Sequence, residues 1–363
     1  MSIDNINDSM ARIKVIGVGG GGNNAITRML QERIQGVQLI CVNTDAQALM
    51  KTEAPLRIRI GDNLTRGLGV GGNPELGRAS AEESRDELLE QIKGSDMVFI
   101  AAGMGGGTGT GAAPVIAELI KETGALTVAV VTKPFAFEGT KRAAVARQGL
   151  QWLKDKVDTL LVIPNDRLMD LCDQQVSVNE AFKMADDVLR QGIQAISDVI
   201  TVPGEINLDF ADVKAIMSNA GTALMAIGIG TGESRATDAA RSALNSPLMD
   251  VSIDGATGVL FNITGGNDLT LNEVNEAAEL ISKSVDPEAE KIFGVVTDPD
   301  MDGEVKITII ATGLYSPGDE DLYEEDETQL PMFDKLDGKE EENLDLPPFI
   351  RRSMQKKDGH SVR

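Results

Sequence analysis

The stretch Ala101 to Pro114, AAGMGGGTGTGAAP, constrains this chain more than any other. An apolar run, Met97 to Ile100, leads into it and a helix-like run, Ala112 to Lys121, leads out. It therefore reads as a strand, a glycine loop and a helix start. Gly105, Gly106, Gly107, Gly109 and Gly111 let the backbone approach an anion and turn its N–H groups inward, with a helix dipole behind them. Thr108 and Thr110 add hydroxyl donors. The loop has no lysine, so it is not the GxxxxGK[ST] phosphate loop, and neutralising a bound phosphate falls to a metal ion or to other residues. A flexible linker would have neither the buried strand before it nor the helix after it.

Two more glycine loops precede it. Arg12 to Val18 (RIKVIGV) reads as a buried strand running into Gly19 to Ile26, which opens a helix ending near Arg33. Gly17, Gly19 and Gly22 match GxGxxG, and the strand Val37 to Val42 ends in Asn43, Thr44 and Asp45. That places an acid about twenty residues beyond the glycines, as a dinucleotide site has it, so an NAD-dependent Rossmann oxidoreductase is the rival reading. Against it stand the loop at Gly103 to Gly111, which a dinucleotide site does not need, and a lone histidine, His360, far out in the tail. The third loop is Arg66 to Gly77 (RGLGVGGNPELG), followed by a charged helix, Pro74 to Lys93. Three such loops converging on one rim of a parallel sheet suggest a triphosphate.

At 363 residues and 42% hydrophobic content, two domains and a tail are expected. A net charge of −23 argues against affinity for nucleic acid or anionic membrane. Cys41 and Cys172 have neither paired nor metal-ligand spacing and read as reduced core residues. The start, MSIDNINDSM, is neither basic nor apolar, and no run of eighteen apolar residues occurs, so neither signal peptide nor direct membrane insertion is expected.

Further along, Leu126 to Thr132 and Thr159 to Ile163 read as strands whose ends, at Pro134 and at Asn165 with Asp166, reach the same rim. Glu138 and Arg142 are four apart, so both can face the site from one side of a helix; a surface ion pair is the plain alternative. Ser177 and Glu180 form an S-x-x-E capping box opening a helix to Thr201, 25 residues and about 37 Å long. Phe182, Ala185, Val188, Leu189, Ile193, Ile196, Val199 and Ile200 keep its apolar spacing. At its start Phe182 can stack on a base and Asp186 can accept from the base edge. Guanine offers a carboxylate two donors, N1–H and the 2-amino group, so Asn165 with Asp186 suggests guanine; the plain alternative leaves Asp186 solvated beside Asp187. Asp209 and Asp212 sit at a helix start, where the first can cap it. From Ala220 to Leu314 a smaller α/β segment follows, whose last two strands, Lys291 to Thr297 and Glu304 to Thr312, read as a hairpin turning at Gly303. Asp319 to Asp345 holds thirteen acidic residues and two lysines, a self-repelling linker, and Leu344 to Arg352 (LDLPPFIRR) is an apolar and basic island of the partner-binding kind.

With GGGTGTG in this setting, the chain from about Ile13 to Leu314, and again near its end, resembles the tubulin/FtsZ superfamily. The resemblance implies a tubulin-like α/β fold: a Rossmann-like parallel-sheet GTPase domain over residues 1–176, a long central helix over 177–203, and a second, smaller α/β domain over 204–315. An acidic disordered linker over 316–343 and a partner-binding peptide over 344–363 complete the expected organisation. It implies GTP binding, head-to-tail self-assembly into a division ring, and GTP hydrolysis at the subunit interface. Gly19, Gly20, Gly21, Gly22, Asn23, Asn24, Gly71, Gly72, Gly105, Gly106, Gly107, Thr108, Gly109 and Thr110 are then expected on the phosphates. Asn43, Glu138, Arg142, Asn165, Phe182 and Asp186 are expected on ribose and guanine. Asn207, Asp209 and Asp212 match the family's synergy loop, which acts in trans on the attacking water. Magnesium is expected with the phosphates of GTP or GDP. Further expectations are membrane-tethering and regulatory division proteins on the tail peptide, a cytoplasmic protein at the midcell division site, and no nucleic-acid partner. A GTP-sensing structural module without turnover is the remaining alternative, and Asp209 and Asp212 speak against it.

Overall fold

In the computed structural model, which describes residues 11–170, 176–202, 209–248 and 253–314, the apolar runs form strands buried on both faces. The first half alternates strand and helix: β1 (Ile13–Val18), α1 (Gly19–Gln31), β2 (Val37–Asn43), α2 (Ala46–Lys51), β3 (Leu56–Arg59), α3 (Asp62–Thr65), α4 (Pro74–Glu83) and α5 (Arg85–Ile92). There follow β4 (Met97–Gly103), α6 (Thr108–Thr123), β5 (Leu126–Lys133), α7 (Thr140–Lys154), β6 (Thr159–Pro164) and α8 (Asn165–Met169). These six strands are parallel and lie in the order β3-β2-β1-β4-β5-β6. Parallel strands need helical crossovers that cover both faces, which is why β1, β4 and β5 are near-continuous apolar runs. The strand order reverses between β1 and β4, the point where an open α/β sheet forms its binding crevice.

Two helix boundaries differ from the sequence expectation. The expected Pro74 to Lys93 helix is two, because Ser84 (φ −101°, ψ 20°) leaves helical geometry and its hydroxyl accepts from Gly61 N at 3.2 Å. Helix α6 starts at Thr108, four residues before Ala112, so half of the glycine motif is its first turn.

The long helix is α9 (Val178–Thr201), opened by the expected capping box: Ser177 Oγ accepts from Glu180 N, and the Glu180 carboxylate from Ser177 N. Its 24 residues span about 36 Å. It packs on α1 and β5 at one end and on the last strands at the other, and one hydrophobic core runs from Val15 and Phe99 through Leu189 and Ile193 to Leu260, Ile292 and Ile310.

Beyond it lie α10 (Phe210–Met217), β7 (Gly221–Thr231), α11 (Arg235–Leu244), β8 (Gly258–Gly265), α12 (Leu271–Lys283), β9 (Glu290–Thr297) and β10 (Glu304–Thr312). Strand β7 continues the parallel sheet by pairing with β6 from Thr159↔Gly221 to Leu161↔Ala223. The expected hairpin of the last two strands is not formed. Strand β10 lies between β7 and β8, antiparallel to both, while β9 pairs parallel with β8 on the outside. The link at 298–303 carries a 3-10 turn, Pro299–Met301, and crosses above β8, about 10 Å at sheet spacing. That reach is easy for six residues, whereas a tight hairpin would leave β7 and β8 without their shared neighbour.

A second core packs α11 and α12 on this half. Arg235, 6% exposed at the start of α11, donates to Glu273 Oε1 (2.7 Å), Asp268 Oδ2 (2.5 Å) and Asp268 O (2.9 Å). Asp268 Oδ2 also accepts from Gly303 N, so one guanidinium ties three loops together. Its hydrogen bonds hold the Glu273 carboxyl down to about 2. Because that value lies below the ordinary carboxylate range, the stabilisation is present above about pH 4.5 and is lost as the pH falls towards 2. Arg235→Ala should lower the thermal midpoint by about 5 °C at pH 7. Calorimetry should find the deficit constant from pH 7 to 5 and shrinking below pH 4.5; a deficit that grows with acidification would refute this account.

Candidate functional site

The parallel register brings five strand ends to one rim. Val18 lies opposite Val42 and Ala102, Gly103 opposite Thr132, and Lys133 opposite Pro164. Helices α1 and α6 start from this rim. Neither has a side-chain N-cap, and neither carries an acid in its first turn. A Cβ placed on Gly19 would lie 2.8 Å from Gly109 N, so the two helix starts are in backbone contact. Two sets of N–H groups without intrahelical partners, with two positive dipole ends, thus sit side by side. The third loop closes on them: Gly107 would meet Val70 and Asn73, and Gly111 the Pro74 carbonyl, with any Cβ.

The glycines divide by what requires them. Gly17, Gly22, Gly107, Gly109 and Gly111 are dictated by backbone crossings, the tightest being Gly22 on the Ala101 carbonyl and Gly111 on that of Pro74. Gly71 and Gly72 (φ 57° and 80°) are dictated by a left-handed turn, and a Cβ on either would meet nothing. Gly20 and Gly106 have neither reason: their φ is not positive and a Cβ would find nothing within 4 Å. The polypeptide around them does not require a glycine at either position, and phosphate against the uncapped helix starts fits that open space.

The polar side chains of the loops are mostly spent on holding them. Asn23, 2% exposed, turns its amide nitrogen to Gly17 O (2.8 Å) and Gly19 O (3.1 Å) and accepts from Asn43 Nδ2 at 3.1 Å. Asn43 Oδ1 accepts from Asp45 N. Thr110 Oγ1 accepts from Gly105 N at 2.9 Å, and Thr108 shares a 2.7 Å hydrogen bond with Thr44, a partner the sequence did not single out. Gly21 is half-buried against Gly103, and Asn24 is exposed on α1. Asp45, the acid of the dinucleotide reading, instead caps α2, accepting from Gln47 N and Ala48 N.

At the other end of the rim, Glu138 and Arg142 are not on one helix. Glu138 closes a 3-10 turn, Ala136–Glu138, and Gly139 (φ 97°) separates it from α7, because the Glu138 carboxylate reaches back to Phe135 N. The two still form an ion pair, with Glu138 largely buried, and the Arg142 backbone lies against Gly105. Asn165, at the start of α8, is buried with Oδ1 lacking any partner, an acceptor waiting for a donor. Its neighbour Asp166 accepts from Ala136 N, which ties α8 to the Phe135 turn. Phe182 is not a core residue. It is 39% exposed and packs edge-on against Phe135 (5.5 Å) and Phe137 (6.1 Å).

Asp186 and Asp187 part company. Asp187 is committed to Arg190 (2.7 Å) and Gln191 (2.5 Å). Asp186 turns towards α1, where burial pushes its carboxyl up to about 7 against the opposing pull of Arg28 and Asn24. It is not a solvated surface acid. An orphaned amide oxygen and a desolvated carboxylate are two acceptors, the complement of guanine's two donors.

Asp209 and Asp212 are both exposed. Asp209 stands at the N-cap of α10 but its side chain makes no capping bond, so that role is taken by its backbone alone. Asn207 lies outside the described residues, as do Cys172, the linker and the tail peptide. Cys41 is buried and free. At the far end of α10, Met217 O accepts from Thr159 Oγ1 at the first residue of β6, the sheet edge opposite the glycine rim. A cavity of about 330 Å³ lined by Ile227, Arg241, Ser242, Asn245, Ser246 and Pro247 contains no glycine loop and no carboxylate. None of the helices in the described residues is long and apolar enough to cross a membrane.

Comparison with known proteins agrees with this geometry. Residues 12–173 match the model of the Tubulin/FtsZ family GTPase domain, and residues 221–315 that of the FtsZ family C-terminal domain. The structure is similar to an FtsZ dimer of M. jannaschii, solved empty, with a TM-score of 0.83 and 48% identity over 86% of this chain and 90% of that one. It shares its fold with two Haloferax volcanii proteins. CetZ2, in a GTPγS-bound protofilament, has TM-score 0.72 and 21% identity over 86% of this chain and 96% of that one. CetZ1, a GDP-bound monomer, has TM-score 0.71 and 23% identity over 84% and 95%.

The division of the glycines is testable. Gly106→Ala should change unfolding stability by no more than about 0.5 kcal/mol, as at an unstrained open site, yet weaken GDP binding at least roughly tenfold. Gly109→Ala, whose Cβ would lie 2.8 Å from the Gly103 carbonyl, should destabilise the free protein itself. Equal behaviour of the two variants in thermal unfolding and calorimetric titration would refute the distinction.

Proposed function

This chain belongs to the tubulin/FtsZ family and is a GTPase of that family, and from that premise we propose that it assembles head to tail with each GTP site completed by the next subunit. The observation that carries the nucleotide half is the contact of two uncapped helix starts around Gly20 and Gly106, whose side-chain-free space nothing among the described residues fills. Phosphates lie there, with Gly71 and Gly72 closing on the terminal one. Guanine lies at Asn165, Phe182 and Asp186, with Asn43, Glu138 and Arg142 towards the ribose. A bound base would supply the missing partner of Asn165 Oδ1.

The catalytic half comes from the next subunit. Helix α9 starts beside the rim, through Phe182 and Phe135, and runs about 36 Å away from it, while α10 ends at the opposite sheet edge. Asp209 and Asp212 are therefore exposed where their own subunit's phosphates cannot be reached, and head-to-tail stacking would present them to a neighbour's rim. Asn207 belongs to the same loop by sequence. A site split over opposite ends of a subunit generates an open, heterologous filament. The carboxylates orient the attacking water and draw its proton as its oxygen bonds to the terminal phosphorus. The bond from that phosphorus to the bridging oxygen breaks, GDP leaves with the electron pair, and the proton passes on to the released phosphate. The uncapped N–H groups of α1 and α6 take up the charge developing on the phosphate oxygens.

Magnesium belongs to this proposal as a companion of the nucleotide. Among the described residues no three carboxylate, histidine or cysteine groups come together to hold a metal, so phosphate oxygens and waters would be its ligands. Placement at the midcell division site, and recruitment of membrane-tethering and regulatory proteins by Leu344 to Arg352, complete the proposal; that apolar and basic island after an acidic linker supports it.

Turnover per subunit should rise steeply above a threshold protein concentration. Asp212→Ala should bind GTP normally and hydrolyse it at least roughly a hundredfold more slowly. Mixed with Thr108→Arg, which cannot bind nucleotide, it should regain activity, because each variant supplies the half the other lacks. No recovery at any ratio, with turnover independent of concentration, would sink the split site and leave nucleotide binding standing.

Deleting Leu344 to Arg363 should leave GTP-dependent light scattering nearly intact and abolish capture of membrane-tethering partners. Loss of scattering itself would place the tail in the polymer contact instead.

A further inference from the structure

We propose that Arg28 is a positioning residue for base recognition: from α1 it favours the ionised, acceptor-only form of the Asp186 carboxyl and so sets the pH range over which guanine nucleotides bind. The inference rests on the reading of Asp186 as the guanine contact. Arg28 Nε lies 4.0 Å from Asp186 Oδ2, within charge range but beyond a hydrogen bond, and is buried with no hydrogen-bond partner. Both side chains are mostly covered, 27% and 16% exposed. Arg190 on α9 shows what a purely structural arginine does here: it donates to Asp187 and to Gln194. A guanidinium nitrogen left buried and unbonded is costly, so its position needs another reason.

The reason is the charge of its neighbour. The groups acting on Asp186 are Arg28 and Asn24 on α1 and Asp187 on its own helix. Asn24 offers a neutral hydrogen bond, and Asp187 repels but is itself neutralised by Arg190. Burial favours the neutral carboxyl, and Arg28 supplies the opposing positive field. A neutral carboxyl presents one acceptor and one O–H, a mismatch for the two donors of guanine, whereas the carboxylate presents two acceptors. The Asp186 side chain is 16% exposed, and a base packed against it would reduce that exposure further, so the dependence on a nearby cation deepens in the complex.

The test is calorimetric GDP binding by the full chain between pH 6 and 8.5, for the wild type, Arg28→Gln, Arg28→Lys, Asp186→Asn and the Arg28→Gln, Asp186→Asn double variant. Titration of the nucleotide phosphate is common to all five and cancels on comparison. Losing an opposite charge at this range should move the Asp186 midpoint up by about one pH unit. Arg28→Gln should then bind about tenfold more weakly at pH 6, about fivefold at pH 7, and within about twofold of wild type at pH 8.5. Arg28→Lys, which keeps the charge, should restore the wild-type profile. In the Asp186→Asn background Arg28→Gln should shift nothing. A loss that is equal at every pH, or a lysine variant that fails to rescue, would overturn the role of Arg28 while leaving Asp186 as the guanine contact. Wild-type affinity and unchanged preference for GTP over ATP in Asp186→Asn would instead overturn that underlying reading.

Discussion

Everything at the nucleotide rim depends on backbone meeting backbone across the β1–β4 boundary. Gly22 rests on the Ala101 carbonyl and Gly19 on the Gly109 amide, at separations no Cβ would allow. That approach puts the starts of α1 and α6 side by side, where their unpaired N–H groups and dipoles reinforce each other. It is held because the third loop, through Val70 and Asn73 on Gly107, packs the far side, and with no acid in either first turn the positive ends stay unneutralised. Two like dipole ends in contact repel in the free chain, so the arrangement stores an affinity for anions in the fold itself.

The long helix converts this local site into one end of a larger object. Its first turns lie beside the rim, through Phe182 and Phe135, and its later turns pack on β9 within a core shared by both halves. A cavity or a new charge along Leu189, Ile193 or Ile196 would therefore be felt at both ends, because that core has no internal boundary at which strain can relax. The continuous pairing of β6 with β7 has the same effect through backbone hydrogen bonds.

Electrostatics at the two ends serve opposite purposes. In the C-terminal half the Arg235 cluster is fully paired, its carboxylates are held low, and it behaves as a clamp between loops. At the base end the groups are left underpaired: Asn165 Oδ1 and Arg28 Nε have no partner, and Asp186 is pushed up by burial. Unpartnered buried atoms also occur on β7 and β8, at Thr222 Oγ1 and Asn262 Oδ1, so the distinction of the α9 start is that its unpartnered atoms lie beside a desolvated carboxyl.

By itself the sequence determined the strands of the first half, the three glycine loops and the capping box of α9. Those features rest on chain neighbours: apolar runs, glycine clusters and the S-x-x-E spacing act within a few residues of themselves. Tertiary structure alone decided the rest. Whether β9 and β10 pair depends on β7 and β8 competing for β10, a choice between segments tens of residues apart. Burial acts on both Asp186 and Asp187, and which of them is left with a raised carboxyl depends on Arg190 and Gln191 bonding Asp187 while α1 covers Asp186. Asp45 fits a dinucleotide spacing and caps a helix instead, because its carboxylate accepts from two amides of the first turn of α2. Gly20 and Gly109 look alike in the sequence, yet one is open and one is wedged, since only the fold says which backbone passes by.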